Sequence, residues 1–299
     1  MKTFFRNTLF LRLSTVIVIL ISLLIMFLFA TGLKAKSYKI NSDITKLYMG
    51  DSHVRYAVND NLLKHSLNLG NSSESLYFSY FKLRQTVKNN PNIQELNLGF
   101  SCHNISEYYD DYIFGKYSNS VTPNYFYILP FDEQLKMMKR DFKQVLPRLV
   151  HVLKSGINSW FNKNTFEGGY DNLFTDVMPV RASMDERLNL QYYSNGTLHS
   201  FSSLNLIYLD KIVKLCKEKN VNLIVINTPM HPYYQAKVPK KFVEKYNSIV
   251  SSKNLKVMDL TRLELPENCY QPDGDLVLEE GATETTKEIV RLKNQPTNY

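Results

Sequence analysis

Cysteine is scarce in this chain of 299 residues: Cys102, Cys216 and Cys269 are all there are. Three thiols allow at most one internal bridge, and the odd count excludes a disulfide framework. Free, buried thiols are the expectation. No Cys/His spacing of the zinc-binding kind occurs. No glycine-rich loop of the phosphate- or dinucleotide-binding type follows an apolar run, so neither a metal nor a cofactor is expected. Histidine is rare too, with six residues at 53, 65, 103, 151, 199 and 231. A surplus of one charge is missing from most of the chain. The formal charge is +8, but residues 1–39 hold six Lys/Arg and no acid, which leaves 30 basic against 28 acidic residues elsewhere. A near-neutral body gives no electrostatic footprint for nucleic acid.

What the chain does have begins at its N-terminus. Leu13 to Leu33 is a run of 21 residues without charge. As a helix it would span roughly 30 Å, the thickness of a bilayer core. A cleaved secretory signal usually has an apolar region of only about 7–15 residues. Gly32-Leu-Lys-Ala35 is also a poor small-x-small cleavage site. The run therefore reads as a single-pass signal anchor over 13–33, with residues 1–12 cytoplasmic. The bias is slight, because Lys2, Arg6 and Arg12 before the span face Lys34, Lys36 and Lys39 after it. Residues 40–299 are expected outside the cell membrane, with the membrane as partner through the N-terminal helix.

Beyond the anchor, short apolar runs alternate with helical periodicity. Strands are expected at Leu47–Met49, Ser66–Leu69, Ile93–Phe100, Val221–Thr228 and Leu255–Leu260. The continuous apolar stretch Leu223–Ile226 suits a central parallel strand covered on both faces. Helices are expected at Ser75–Lys88, Leu204–Lys219, Lys240–Ser251 and Glu279–Leu292. This alternation predicts a flavodoxin-like, three-layer α/β domain built on a parallel sheet. The stretch from about 105 to 200 interrupts it and reads as a mostly helical insertion, with helices at Asp132–Leu146 and Arg148–Phe161. Its tyrosines (Tyr108, Tyr109, Tyr112, Tyr192, Tyr193) either stack on sugar rings or fill the insertion's own core.

The chemistry-bearing residues sit where such strands end. Lys46-Leu-Tyr-Met-Gly-Asp-Ser-His53 is a strand running into a tight turn, where an exposed serine could act as a nucleophile. An ordinary turn with Ser52 capping a helix is the plainer alternative. Asn68-Leu-Gly70, then Gly99-Phe-Ser-Cys-His-Asn104, Thr228-Pro-Met-His231 and Asp273-Gly-Asp-Leu-Val-Leu-Glu-Glu-Gly-Ala282 follow in order. Together these segments resemble the blocks of the SGNH (GDSL-like) hydrolase and acyltransferase superfamily, in its membrane-anchored, envelope-associated form. The resemblance implies Ser52 as nucleophile, the amides of Ser52 and Gly70 with Asn104 as oxyanion donors, and Asp273 in the catalytic unit. Its implied partner is an acylated glycan or polysaccharide.

One position departs from that pattern. The superfamily's last block reads approximately Asp-x-x-His-Leu-Asn-x-x-Gly-Ala. With Gly281-Ala282 fixing the register, Leu276 stands at the histidine and Leu278 at the asparagine. Leucine can neither take the serine proton nor return it. His103 and His231 follow strands and are the candidates for a surrogate base. His53 adjoins Ser52, and its side chain is expected to point away from it. Two functions remain open: a catalytically impaired binder or scaffold at the cell envelope, and an active serine esterase or O-acyltransferase with a surrogate histidine.

Overall fold

In a computed structural model the described residues are 2–36, 38–140, 150, 154 and 168–295. The chain opens with helix α1 (Lys2–Lys36). Its apolar window, Phe10–Phe29, has a mean hydropathy of 2.6 and is long and apolar enough to cross a membrane. Then follow β1 (Lys46–Met49), α2 (Ser52–Ala57), β2 (Ser66–Asn68), α3 (Leu76–Asn89) and β3 (Glu95–Gly99). The insertion supplies α4 (Asp110–Ile113), α5 (Ser118–Tyr125), α6 (Phe131–Arg140), α7 (Arg181–Tyr192) and a small hairpin of β4 (Tyr193–Ser194) with β5 (Thr197–Leu198). The chain finishes with α8 (Ser203–Glu218), β6 (Asn222–Asn227), α9 (Pro232–Lys237), α10 (Lys240–Ser252), β7 (Lys256–Asp259) and α11 (Glu279–Asn294).

Five strands form one parallel sheet in the order β2-β1-β3-β6-β7. Numbered within the sheet alone, that order is 2-1-3-4-5, the flavodoxin-like arrangement whose ligand crevice lies at the carboxyl ends of the strands. The period-2 alternation of a strand divides the core in two. Leu47 and Met49 of β1, with Leu96 and Leu98 of β3, point into a large cluster with α3, α8 and α10. Tyr48 and Ile226 point the other way and pack with Val54 of α2, Met258, and Ile289 of α11. Helices on both faces make the three layers. The central runs had to be apolar on both sides because both sides are covered.

The expected strands and helices appear within one or two residues of their predicted ends. The insertion is helical only in part. Residues 168–180 are neither helix nor strand, and they begin along the open edge of β2, where the Gly169 amide donates to the Asn68 carbonyl. Of the helix expected over Asp132–Leu146, residues 131–140 are helical and 141–146 lie outside the described residues. The helix expected over Arg148–Phe161, with His151, lies outside them too except at 150 and 154. The tyrosines side with the core: Tyr108, Tyr109 and Tyr192 are buried. All three cysteines are free thiols.

Candidate functional site

The site forms where β1 and β3 end side by side. Gly50 leaves β1 with φ at 149°, in the region that favours glycine. A side chain there would come within 2.9 Å of Val54 and 3.2 Å of the Gly99 backbone. The chain can therefore turn at once from strand to helix. Asp51 caps α2, its Oδ1 accepting from the His53 amide at 3.0 Å.

The other oxygen of Asp51 is the hub of the site. Oδ2 accepts from Asn104 Nδ2 at 2.7 Å and from the Tyr109 hydroxyl, and His103 Nε2 lies 2.8 Å away. The far side of the His103 ring meets Ser101, with Nδ1 to Oγ at 2.8 Å. Since a carboxylate only accepts, Nε2 carries the proton and Nδ1 accepts from Ser101. Ser101, His103 and Asp51 thus stand in the order of a hydrolytic triad, with Ser101 buried at 5% exposure.

A second histidine–carboxylate pair stacks on the first. The rings of His53 and His103 lie 4.1 Å apart at 20°. His53 Nδ1 is 3.3 Å from the Thr228 hydroxyl, and Nε2 is 3.1 Å from Asp275 Oδ1, an ion-pair distance with poor hydrogen-bond direction. The other Asp275 oxygen accepts from Arg187 (Nε and Nη2, both 2.7 Å) and from Gln191 Nε2 at 2.9 Å. Arg187 and Gln191 lie one turn apart on α7, so a helix of the insertion closes over the sheet's carboxyl edge. Gln191 is held in turn by the Tyr234 hydroxyl.

Burial and charge act against each other here. Burial pushes the Asp51 carboxyl up, but His103, His53 and the Tyr109 hydrogen bond outweigh it and hold it well below the usual carboxylate range. Burial likewise pushes Asp275 up, while Arg187 and His53 bring it well below. His53 would fall on burial alone, yet Asp275 and Asp51 raise it. His103 is lowered by burial and by the charge of His53, against the pull of Asp51. The two stacked rings are thus pushed in opposite directions, His53 toward holding its proton and His103 toward losing it.

The residues named from the sequence are only partly gathered here. Ser52 is half-buried at the first position of α2, and its hydroxyl has no hydrogen-bond partner among the described residues. Asn104 is in the site, but its amide is engaged by Asp51 and its Oδ1 accepts from the Ser101 amide. The Gly70 N–H donates to Asn68 Oδ1 at 2.8 Å. His231 caps α9 by accepting from the Tyr233 amide, and its Nε2 pairs with Glu267 at 2.8 Å. Asp273 is half-buried, its carboxyl raised by burial and by Asp275, and it lies 3.9 Å from Arg187 Nε. Leu276 is buried, its carbonyl accepting from the Gln271 amide. Sequence reasoning gives no site role to Asp51, Arg187 or Gln191, and it offers Asp275 only as a carboxylate paired with Asp273 or as part of a turn. The turn spacing of Arg187 and Gln191 was the available sign, but it has meaning only with Asp275 opposite.

Asp51, His53 and His103 also present metal-ligand atoms within 4.8 Å of one another. Both nitrogens of His103 are already engaged, by Ser101 and by Asp51, and Asp51 Oδ2 already accepts from Asn104 and Tyr109. The donor set therefore suits a hydrogen-bonded cluster better than a metal centre.

No protein-family profile matches the chain, and no curated protein does. Solved structures do. One is a Streptococcus pneumonia protein provisionally described as a platelet activating factor, at 12% identity over 93% of this chain and 97% of that one, with a TM-score of 0.42. A GDSL-like lipase of Bacteroides thetaiotaomicron is 10% identical over 89% and 96%, with a TM-score of 0.40. A Bacteroides fragilis protein provisionally described as an acylhydrolase is 10% identical over 82% and 84%, at 0.38. Likeness at that level carries no inference about activity.

Proposed function

We propose that this chain is a membrane-anchored, extracytoplasmic SGNH-like protein of the cell envelope that binds an acylated glycan without turning it over through Ser52. The SGNH assignment and the ligand class rest on the resemblance of Gly50-Asp51-Ser52, Gly70 and Asp273 to the superfamily's blocks. One observation carries the loss of turnover: the groups that should serve Ser52 are committed elsewhere. Leu276 stands at the base position inside the core. Both nitrogens of His103 face Ser101 and Asp51, and both nitrogens of His231 face Tyr233 and Glu267. The amides of Gly70 and Asn104 face Asn68 and Asp51. A serine without a base, and with only its own amide left to hold an oxyanion, is a weak nucleophile.

The second reading, an active esterase or O-acyltransferase, is favoured by the Ser52 hydroxyl itself, which is half-buried and unengaged. It would draw its base from His103 or His231. Hydrolysis of acetylated xylan or an aryl acetate by the full chain in detergent separates the two. The wild type and Ser52→Ala are expected to hydrolyse at the same background rate. A Ser52-dependent rate tenfold above that background would establish the second reading, and its loss in His231→Gln would name the base. The double variant Leu276→His, Leu278→Asn is expected to stay within about tenfold of background, because an oxyanion donor is typically worth a hundredfold or more. A larger gain would mean that only the base is missing.

A further inference from the structure

The last turns of α1 fix which edge of the sheet meets lipid. Phe27 packs edge-on against Phe126, with ring centroids 6.1 Å apart at 64°. Phe126 stands at the level of the carboxyl edge. Its neighbour Tyr125 donates to Glu74, just ahead of α3, and accepts from Asn71 Nδ2 at 2.9 Å. Asn71 follows β2, and its amide donates to the Gly50 carbonyl just past the end of β1. The far end of α1 is held at the opposite edge. Asn90, which closes α3 ahead of β3, donates to the Tyr38 carbonyl at 2.6 Å and accepts from the Ile40 amide at 2.9 Å. The end of α1 therefore runs beside α3 and in the same direction, from the carboxyl edge at Phe27 toward the amino edge just past Lys36. From Phe27 to Lys36 it rises about 14 Å, the length of strands such as β1 and β3. The apolar window starts at Phe10. From there to Phe27 the helix rises about 25 Å, all of it beyond the carboxyl edge. A bilayer holding that window lies against the edge where Ser52 and the two stacked histidines sit.

A second feature of the same edge is independent of α1. Residues 172–180 cross it as a strap tied at both ends. Asn172 Nδ2 donates at 2.8 Å to Glu279, the first residue of α11. The Val180 amide donates at 2.9 Å to the Pro272 carbonyl, in the loop between β7 and α11. Just upstream, Arg55 Nε of α2 donates to Asp171 at 3.0 Å. Between the ties Phe174 is 77% exposed, and Val177, Met178 and Val180 are exposed beside it. Asp176 is the single charge among residues 173–180. In the rest of the domain, among the described residues, each exposed large apolar side chain stands alone in its stretch of chain. Four together on one short segment mark a contact surface. The course of α1 says what covers it, because the strap and the lipid-crossing window lie at one edge of the sheet.

We propose that the carboxyl edge of the sheet rests on the bilayer surface, with the strap Phe174–Val180 entering the headgroup layer. The partner is the bilayer itself. The crevice at Ser52 then opens toward headgroups, and a ligand reaches it from that layer. The inference rests on the reading of α1 as an anchor, and the test separates the two.

The full chain would carry Trp160→Phe, which removes its only tryptophan. Phe174→Trp then reports from the strap. Lys217→Trp reports from the amino edge, where Lys217 is exposed in the last turn of α8 ahead of β6. Each variant is reconstituted in phosphatidylcholine–phosphatidylglycerol vesicles with acyl chains brominated near the headgroup end. Flotation after an alkaline carbonate wash comes first, and a chain left at the bottom overturns both the anchor and the proposal. In floated vesicles, the Phe174→Trp emission is expected to be blue-shifted and quenched at least twofold by bromine, with the Lys217→Trp emission unquenched. Equal quenching at the two positions, or stronger quenching at 217, would overturn the proposal and leave the anchor standing. A blue-shifted but unquenched Phe174→Trp would mean that protein covers the strap, and would overturn it as well.

Discussion

At the scale of single residues, Asp51 explains why this turn is built as it is. Its carboxylate sits 2% exposed, yet it accepts from an amide, a carboxamide, a phenol and an imidazole. A buried charge is tolerable only when its lone pairs are met in this way. Asp51→Asn keeps the shape but replaces one acceptor with a donor that faces other donors. It is expected to cost about 3 kcal/mol, in the range for breaking a buried charged network, measured by denaturant unfolding of the full chain in detergent. Asp273→Asn, at a half-exposed position, is expected to stay within about 0.5 kcal/mol. Equal losses would contradict the separate roles given to these residues. The sequence showed Gly50-Asp51-Ser52 as a unit, and it showed that Leu276 breaks a pattern. It could not show which side chain of the turn is buried. His53 adjoins Ser52 in the sequence, but α2 begins there, and helical geometry stacks its ring on His103.

At the scale of elements, α7 ties the insertion to the sheet. Arg187 and Gln191 both hold Asp275, whose side chain is completely buried. Removing the guanidinium leaves that carboxylate short of its main counter-charge. Arg187→Met is expected to cost about 3 kcal/mol, whereas Arg187→Met with Asp275→Leu should recover most of the loss. A double-variant cycle in urea checks this, and strict additivity would mean that the pair is not coupled. Such a tie was not legible beforehand. Val221–Thr228 reads as a strand because its apolar run is continuous, and Ser75–Lys88 as a helix because Leu76, Leu83 and Val87 share a face. The insertion has no such uniform period. Residues 168–180 form no regular element and are held by the rest of the fold, where the Asp171 carboxylate takes Arg55 and Tyr170 donates its amide to Asp60. Local sequence does not contain that partner.

At the scale of the whole molecule, the two histidine–carboxylate pairs give stability a definite pH course. Asp51 and Asp275 are lowered, so their contribution is present above the ordinary carboxylate range near 3.9 and is lost only as pH falls through their lower folded values. His53 is raised, so its contribution is complete below about 6.5 and is lost as pH rises through its folded value. His103 is lowered and opposes protonation as pH falls below about 6.5. Thermal unfolding midpoints should therefore pass through a maximum near neutrality and decline on the alkaline side. In Asp275→Asn the alkaline decline should flatten, because His53 has lost the charge that raised it. An unchanged alkaline slope would place the titrating group elsewhere.

The join between α1 and the domain sets how far the protein can act. The helix ends at Lys36, and by Tyr38 the backbone is already fixed, its carbonyl accepting from Asn90 Nδ2 at 2.6 Å. Ile40 donates to the same side chain at 2.9 Å, and Thr45 pairs with the His65 carbonyl ahead of β1. Among the described residues, no stalk separates α1 from the domain. With α1 in a bilayer, the carboxyl edge of the sheet would stay within one domain's height of the lipid surface, so the proposed ligand would be met at the membrane and not at a distance from it.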